Sequence, residues 1–200
     1  MPLTPVYGIP YPSLSDPPNG PAQMGALATE VENELIRVDA TAASQGARIT
    51  TLETNVTAPP LAVLRQTVAQ SIPHATQTAI QFNAEDLDTA GGHDNVTNNT
   101  RYTAQKAGKY LLGGAVNTVS ATGFRGVVWF KNGSAVPGSQ IDSAPVAGSE
   151  WPVAARTIIV TLAVSDFVEL RLFQDTGGGA LNTGVSSDVQ STMTVAFLSV

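Results

Sequence analysis

Phe124-Arg125-Gly126-Val127-Val128-Trp129-Phe130-Lys131-Asn132-Gly133-Ser134-Ala135-Val136 is the stretch on which the reading of the chain turns. A run of β-branched and aromatic residues leads into Asn132-Gly133, two residues that both tolerate positive φ, and apolar character resumes at Val136. That order is the signature of a β-hairpin. Outward from it, candidate strands are Val63 to Ala69, Thr78 to Phe82, Arg101 to Ala104, Lys109 to Val119, Phe124 to Lys131, Ala154 to Val164, Phe167 to Gln174 and Ser191 to Leu198. Alternation is clearest late: Val168, Leu170 and Leu172 share one face, as do Met193, Val195 and Phe197. Fourteen of the eighteen Gly lie in residues 61–200, between these runs, which is where turns are needed. Strands at this spacing with no helix between them predict an antiparallel sandwich over residues 59–200.

Upstream the period changes. Met24, Val31, Leu35, Val38, Ala42, Ile49, Leu52 and Val56 can be written as alternating a and d positions, with Gln45 in the remaining a site. Spacings of four and three over more than four heptads predict a coiled-coil helix across residues 23–58, ending before Pro59-Pro60. About 35 helical residues at 1.5 Å each would span roughly 50 Å. Ala42, Gln45 and Gly46 weaken the seam, and a mid-helix Gly costs about 1 kcal/mol relative to Ala. Such a helix needs another part of the molecule to hold its copies together. The competing reading is a single amphipathic helix packed on the C-terminal domain.

Residues 1–22 are a third material. Seven of the thirteen Pro fall within residues 1–21, and proline removes a backbone donor and fixes φ, so neither a helix nor a central strand fits. The segment reads as an extended arm. Val6, Tyr7, Ile9, Tyr11 and Leu14 are apolar anchors that a solvated tail has no need of, and they suit an arm that docks on another protein.

Composition narrows the function classes. Charged residues make up 13% of the chain, about half the usual quarter, so the surface must be built from Ser, Thr, Asn, Gln and Gly. A net charge of −6 with no Lys/Arg cluster argues against a nucleic-acid partner. The absence of Cys removes disulfides, thiolate catalysis and Cys-ligated metals. No stretch reaches the ~18 apolar residues of a membrane span, and the first residues carry no secretory signal, so a soluble product without membrane insertion is expected.

Within the C-terminal region, Ile80-Gln81-Phe82-Asn83-Ala84-Glu85-Asp86-Leu87-Asp88 is followed by Gly92-His93-Asp94-Asn95 and Asn98-Asn99-Thr100-Arg101-Tyr102-Thr103. Then come Ala107-Gly108-Lys109-Tyr110-Leu111 and Gly123-Phe124-Arg125-Gly126. In this order the blocks resemble the jelly-roll head of the tumour necrosis factor and complement globular-head superfamily, in the version that bacteriophages carry on fibres and minor tail proteins. The N-terminal Tyr7-Gly8-Ile9-Pro10-Tyr11-Pro12, with Ser15-Asp16-Pro17-Pro18, is similar to the opening of small structural proteins of phages that infect actinobacteria. The resemblance implies a ten-stranded jelly roll assembled as a homotrimer through one sheet of each head. Tyr102, Tyr110, Phe124, Trp129 and Phe173 are the expected contributors to an apolar face that assembly would cover.

Little in the chain suggests chemistry. Glu85, Asp86, Asp88 and Asp94, with His93 beside them, form the one dense acidic group. Asp86, Asp88 and Asp94 are weak candidates for a calcium ion, because the spacing of a helix-flanked calcium loop is missing. The plainer expectation is that they accept backbone N–H bonds and shape a loop. A nucleophile would have to use His74 or His93, and a carboxylate pair would have to use Glu150 and Glu169; neither set has a convincing partner. No enzyme and no cofactor are expected. Recognition is expected instead from the loops 142–151 and 176–187, with Trp151, Leu181 and Asn182 as candidate ligand contacts.

The expectation is a mainly β protein: an antiparallel jelly-roll head, a short coiled-coil helix, and an extended proline-rich arm. Its expected place is the virion surface of a bacteriophage, arm bound to other virion structural proteins, head presented for adhesion to a host-surface glycan. The alternative is a head decoration fibre or tail component without receptor binding.

Overall fold

The computed structural model describes residues 20–57, 59–143 and 151–200, and for residues 54–57 and 151 the backbone alone. The anchor residues Val6, Tyr7, Ile9, Tyr11 and Leu14 lie outside the described residues, as do Glu150 and the centre of the loop 142–151. The chain divides into two compact units, Met1–Thr57 and Ala58–Val200.

The described part of the first unit is one helix, α1 (Gly20–Thr57), of 38 residues, which at 1.5 Å per residue is about 57 Å long. Pro21 stands in its first turn, where a missing N–H leaves no bond unmade. Its last residue, Thr57, stands two before Pro59, whose ring and missing N–H cannot continue a helix. Gly46 is carried through without a break. The Thr41, Thr50 and Thr51 hydroxyls donate to carbonyls four residues back, at 2.9, 3.1 and 2.9 Å. Arg37 pairs with Glu34 one turn earlier at 2.6 Å.

The second unit is a sandwich of antiparallel strands: β1 (Leu61–Arg65), β2 (Ser71–Ile72), β3 (Thr78–Ala79), β4 (Ala84–Asp88), β5 (Arg101–Thr103), β6 (Gly108–Thr118), β7 (Phe124–Lys131), β8 (Ser134–Ala135), β9 (Ile141–Ser143), β10 (Trp151–Ala154), β11 (Ile158–Leu162), β12 (Phe167–Asp175), β13 (Leu181–Asn182) and β14 (Thr192–Ser199). One six-stranded sheet runs β10-β6-β14-β1-β4, with β11 also on β6. The other runs β3-β12-β7-β8, with β5 also on β12 and β9 on β7, and β13 pairs β2 separately. Several of the short strands share one edge of a long neighbour, which is how ten expected strands become fourteen segments among the described residues.

The hairpin read from Asn132-Gly133 is present. Lys131 faces Ser134 across a two-residue turn in which Asn132 has φ 49° and Gly133 φ 79°, the doubly left-handed geometry that suits a twisted ribbon. The Asn132 amide also donates to Asp166 at 2.7 Å, and its carbonyl accepts the Phe167 N–H at 2.8 Å, tying the hairpin to the start of β12.

Between the sheets lie Leu64, Tyr102, Tyr110, Leu112, Trp129, Leu170, Leu172, Met193 and Val195, all buried. Tyr102, Tyr110 and Trp129 are therefore core, which corrects their expected place on an assembly face. Tyr110 and Trp129 sit in phase with inward neighbours on β6 and β7, and each polar tip finds a carbonyl. The Tyr110 hydroxyl donates to Lys106 O at 2.6 Å, and Trp129 Nε1 to Arg156 O at 2.7 Å. Arg156 can present that carbonyl because the expected strand Ala154 to Val164 is broken there: Ala154 faces Ala115 and Ile158 faces Leu112, so three residues oppose two in a bulge. Only Phe124 and Phe173 of the five aromatics keep part of their surface, stacked edge to face with centroids 5.8 Å apart. Arg125, also inward-facing, is buried with no acidic partner among the described residues and ties down the 119–123 loop by donating to Ala121 O at 2.7 Å.

Candidate functional site

Two surfaces carry apolar residues that the described chain leaves uncovered. On α1, Val31, Leu35, Val38, Ile49 and Leu52 are all exposed, Leu35 at 58% and Leu52 at 61%. The side chain of Val56, the last expected member of this seam, is outside the described set. An exposed row at coiled-coil spacing is a face without its partner.

The second surface is the outer side of the β10-β6-β14-β1-β4 sheet. In β1, Ala62 and Leu64 point into the core, so Leu61, Val63 and Arg65 point outward. The register carries this phase across the sheet: Leu61 faces Ala196, Ala196 faces Leu111, and Leu111 faces Ile159. The next row holds Leu87, Val63, Thr194 and Gly113. Ile159 is 61% exposed and Leu87 40%. Charge appears only at the margins, where Arg65 Nε and Nη2 donate to Asp86 Oδ2 and Oδ1 at 2.5 and 2.6 Å, and where Lys109 stands on β6. The Arg65 guanidinium holds the Asp86 carboxyl below its ordinary range.

The acidic group is taken apart by the fold. Ala84 to Asp88, expected as loop, is β4, an edge strand paired with β1, in which Asp86 is the extra residue between Val63–Leu87 and Leu64–Glu85 pairing. Asp86 serves Arg65. Asp88 accepts the Ala90 and His93 N–H groups at 3.1 and 2.8 Å, and Asp94 accepts those of Val96 and Thr97 at 2.8 Å each, which holds its carboxyl below the usual range. Among the described residues no group of carboxylates and histidines is placed to hold a metal ion.

The recognition loops also read differently in space. Leu181 is 4% exposed because β13 lies against β2, so it belongs to the interior and not to a ligand face. The Asn182 carbonyl accepts the Val119 N–H at 3.1 Å, while its residue remains exposed. Trp151 is placed by its backbone, opposite Thr118. The loop 176–187 is organised by buried Gln174, whose amide donates to Ile72 O and Gly179 O at 3.1 and 2.9 Å and whose carbonyl accepts from Thr176.

Among the described residues neither histidine is set beside a nucleophile. His74 Nε2 lies 3.6 Å from Asp175 and its Nδ1 accepts the Gly178 N–H at 3.3 Å; both His93 nitrogens face backbone carbonyls. Glu169 is bound by Arg171 at 2.5 Å and by Thr100 at 3.4 Å. None of the helices among the described residues is long and apolar enough to cross a membrane.

No protein-family model matches the sequence, and no curated protein matches it. Solved structures do. Mouse APRIL at pH 5.0 superposes with a TM-score of 0.53 at 12% identity, covering 70% of this chain and 99% of that one. The Eiger TNF of S. frugiperda gives 0.51 at 12%, covering 70% and 94%. The globular domain of zebrafish complement 1qA gives 0.48 at 10%, covering 70% and 97%. With the two-sheet topology, the first two matches show that the C-terminal unit has the tumour necrosis factor-like jelly-roll fold.

Proposed function

We propose that this chain is a trimeric fibre protein of a bacteriophage particle, with its N-terminal arm bound in the virion, α1 as a spacer and the jelly-roll head exposed for adhesion to a host-surface glycan. The observation that carries the trimer is the apolar row Leu61–Ala196–Leu111–Ile159 on the outside of one sheet. A solvated sheet face alternates apolar inside with polar outside; along this row the sheet is apolar on both sides. Heads of this fold commonly assemble in threes through such a face. Three copies would also bring three α1 seams together, and the association supplied by the heads makes up for a seam interrupted at Ala42, Gln45 and Gly46. The virion location rests on the resemblance of the 80–133 blocks and of the proline-rich opening to phage structural proteins. A charge-poor, hydroxyl- and amide-rich surface suits contact with sugars, and three heads per fibre amplify weak contacts.

Sedimentation equilibrium of the full chain at micromolar concentration tests the assembly: three times 20.7 kDa is expected, and the mass of one chain overturns it. Deleting residues 1–20 should leave that mass ratio intact while removing the protein from purified particles.

A further inference from the structure

The face of the head that carries unoccupied polar chemistry is neither of the two recognition loops read from the sequence. It is a depression of about 280 Å³ whose lining includes Gly92, His93, Asp94, Arg101 and Gln105. We propose that this depression binds a neutral sugar residue through adjacent hydroxyl groups; the inference rests on the adhesive reading above and locates it.

Arg101 is the centre of the case. Its guanidinium carbon stands 4.7 Å from the centroid of the Phe167 ring, so the flat group is held by the aromatic face. Its neighbour across the sheet is Glu169, yet Glu169 is taken by Arg171 and Thr100, which leaves the Arg101 side chain without an acceptor among the described residues. A guanidinium fixed by stacking and not by a salt bridge offers several N–H donors in one plane, the geometry that reads two neighbouring oxygens at once. Asp94 supplies the opposite function. Its Oδ1 accepts the Val96 and Thr97 N–H groups, which fixes the carboxylate in place and leaves its second oxygen to accept from a hydroxyl. One cation and one anion on the same depression cancel, so a free anion gains nothing overall. A hydroxyl pair, which both donates and accepts, matches both groups.

The walls are built. His93 closes one side: its Nδ1 lies 2.8 Å from Arg101 O and its Nε2 2.9 Å from Phe82 O, while Asp88 accepts its backbone N–H at 2.8 Å. These contacts pin the Gly91–Asp94 turn against β5. Gly92 has to be glycine, because a Cβ there would come within 2.5 Å of Tyr102 Cζ and 2.7 Å of Thr103 O. The ring it rests on is fully buried in the core.

The full chain and its Arg101→Gln and Gln105→Ala variants, each checked for unchanged mass and near-ultraviolet circular dichroism, are applied to an array of neutral and acidic microbial polysaccharides, with free glucose, galactose and mannose as competitors. Retention on a neutral polysaccharide, competed by a free hexose and weakened about tenfold or more by Arg101→Gln, the size of one charge-assisted hydrogen bond, is expected. Gln105→Ala should weaken it less. Retention that is equal in Arg101→Gln overturns the site and leaves adhesion standing. Retention on acidic polysaccharides alone, lost in Arg101→Gln, overturns the neutral-sugar assignment. Failure of every chain to bind any polysaccharide overturns both the site and the adhesive reading.

Discussion

The helix and the sandwich treat their apolar residues in opposite ways. In the head, Leu64, Tyr110, Leu112 and Trp129 are sealed within one chain, and the polar tips among them find carbonyls. In α1, Leu35, Val38, Ile49 and Leu52 are left exposed along a single helix. Most helical stability comes from packing an apolar face and not from propensity. The head can therefore be folded by its own sequence, whereas the helix depends on neighbours. In the trimer proposed above, the two units stand in an order of dependence, with the head as the source of association and the helix as its beneficiary.

Damage to the head should consequently reach the helix. Trp129→Ala removes a buried indole and leaves the Arg156 carbonyl unpaired, which should cost the head about 3–5 kcal/mol and lower its melting temperature by roughly 10 °C or more. Near-ultraviolet circular dichroism should report the loss, with helical signal at 222 nm melting in the same transition. A helix that outlives the head would break the proposed order. Leu111→Asp with Ile159→Asp strikes the outer sheet face alone. Sedimentation mass should fall to that of one chain while the near-ultraviolet spectrum of the head is kept, and the helical signal should fall with the mass.

A smaller effect belongs to the turn beside the hairpin. The Asp166 carboxyl is held down at about 2 by the Ala163 N–H first, then by the Asn132 amide and Lys131, against an ordinary value of 3.8. Because the folded state binds this proton more weakly than the unfolded chain, the contribution is complete above about pH 4 and is lost as pH falls toward about 2. Asp166→Asn should be less stable than the parent near neutrality, with the gap closing through that window, as read from denaturant midpoints. The smallest change expected is a gain: Gly46→Ala should stabilise α1 by about 1 kcal/mol per chain and raise its helical melting without moving the head transition.

What could be read beforehand followed the strength of the periodic signal. Val168, Leu170 and Leu172, and Met193 and Val195, alternate cleanly and lie in the strands expected for them, with all five in the core. The helix is legible because Val31, Leu35, Val38, Ile49 and Leu52 keep the heptad period and Pro59-Pro60 ends it. Ala84 to Asp88 reads as loop in the sequence because an edge strand held by backbone pairing to β1 needs no apolar alternation, and Glu85, Asp86 and Asp88 supply none. Aromatic identity likewise says nothing about which side of a strand is inside; the phase of Tyr110 among Leu112 and Val116 does, and only the register across β14 and β11 reveals that Leu111 and Ile159 line the opposite face. Of the Arg101 depression the sequence singles out only His93 and Asp94, as part of the acidic group, since its members are gathered by the His93 contacts to Phe82 and Arg101 and by the closeness of Gly92 to Tyr102.

In the head, β1 and β14 come from opposite ends of its sequence and run side by side, Leu64 against Met193 and Ala62 against Val195. The first and last strands of the sandwich are thus stitched to each other, and β14 separates β1 from β6. Closing so distant a pair makes for slow, all-or-none folding. It also means that the head's two ends are near enough for a short linker to join them, so new ends could be opened at the Asn132-Gly133 turn and the head displayed on a foreign scaffold in a different orientation.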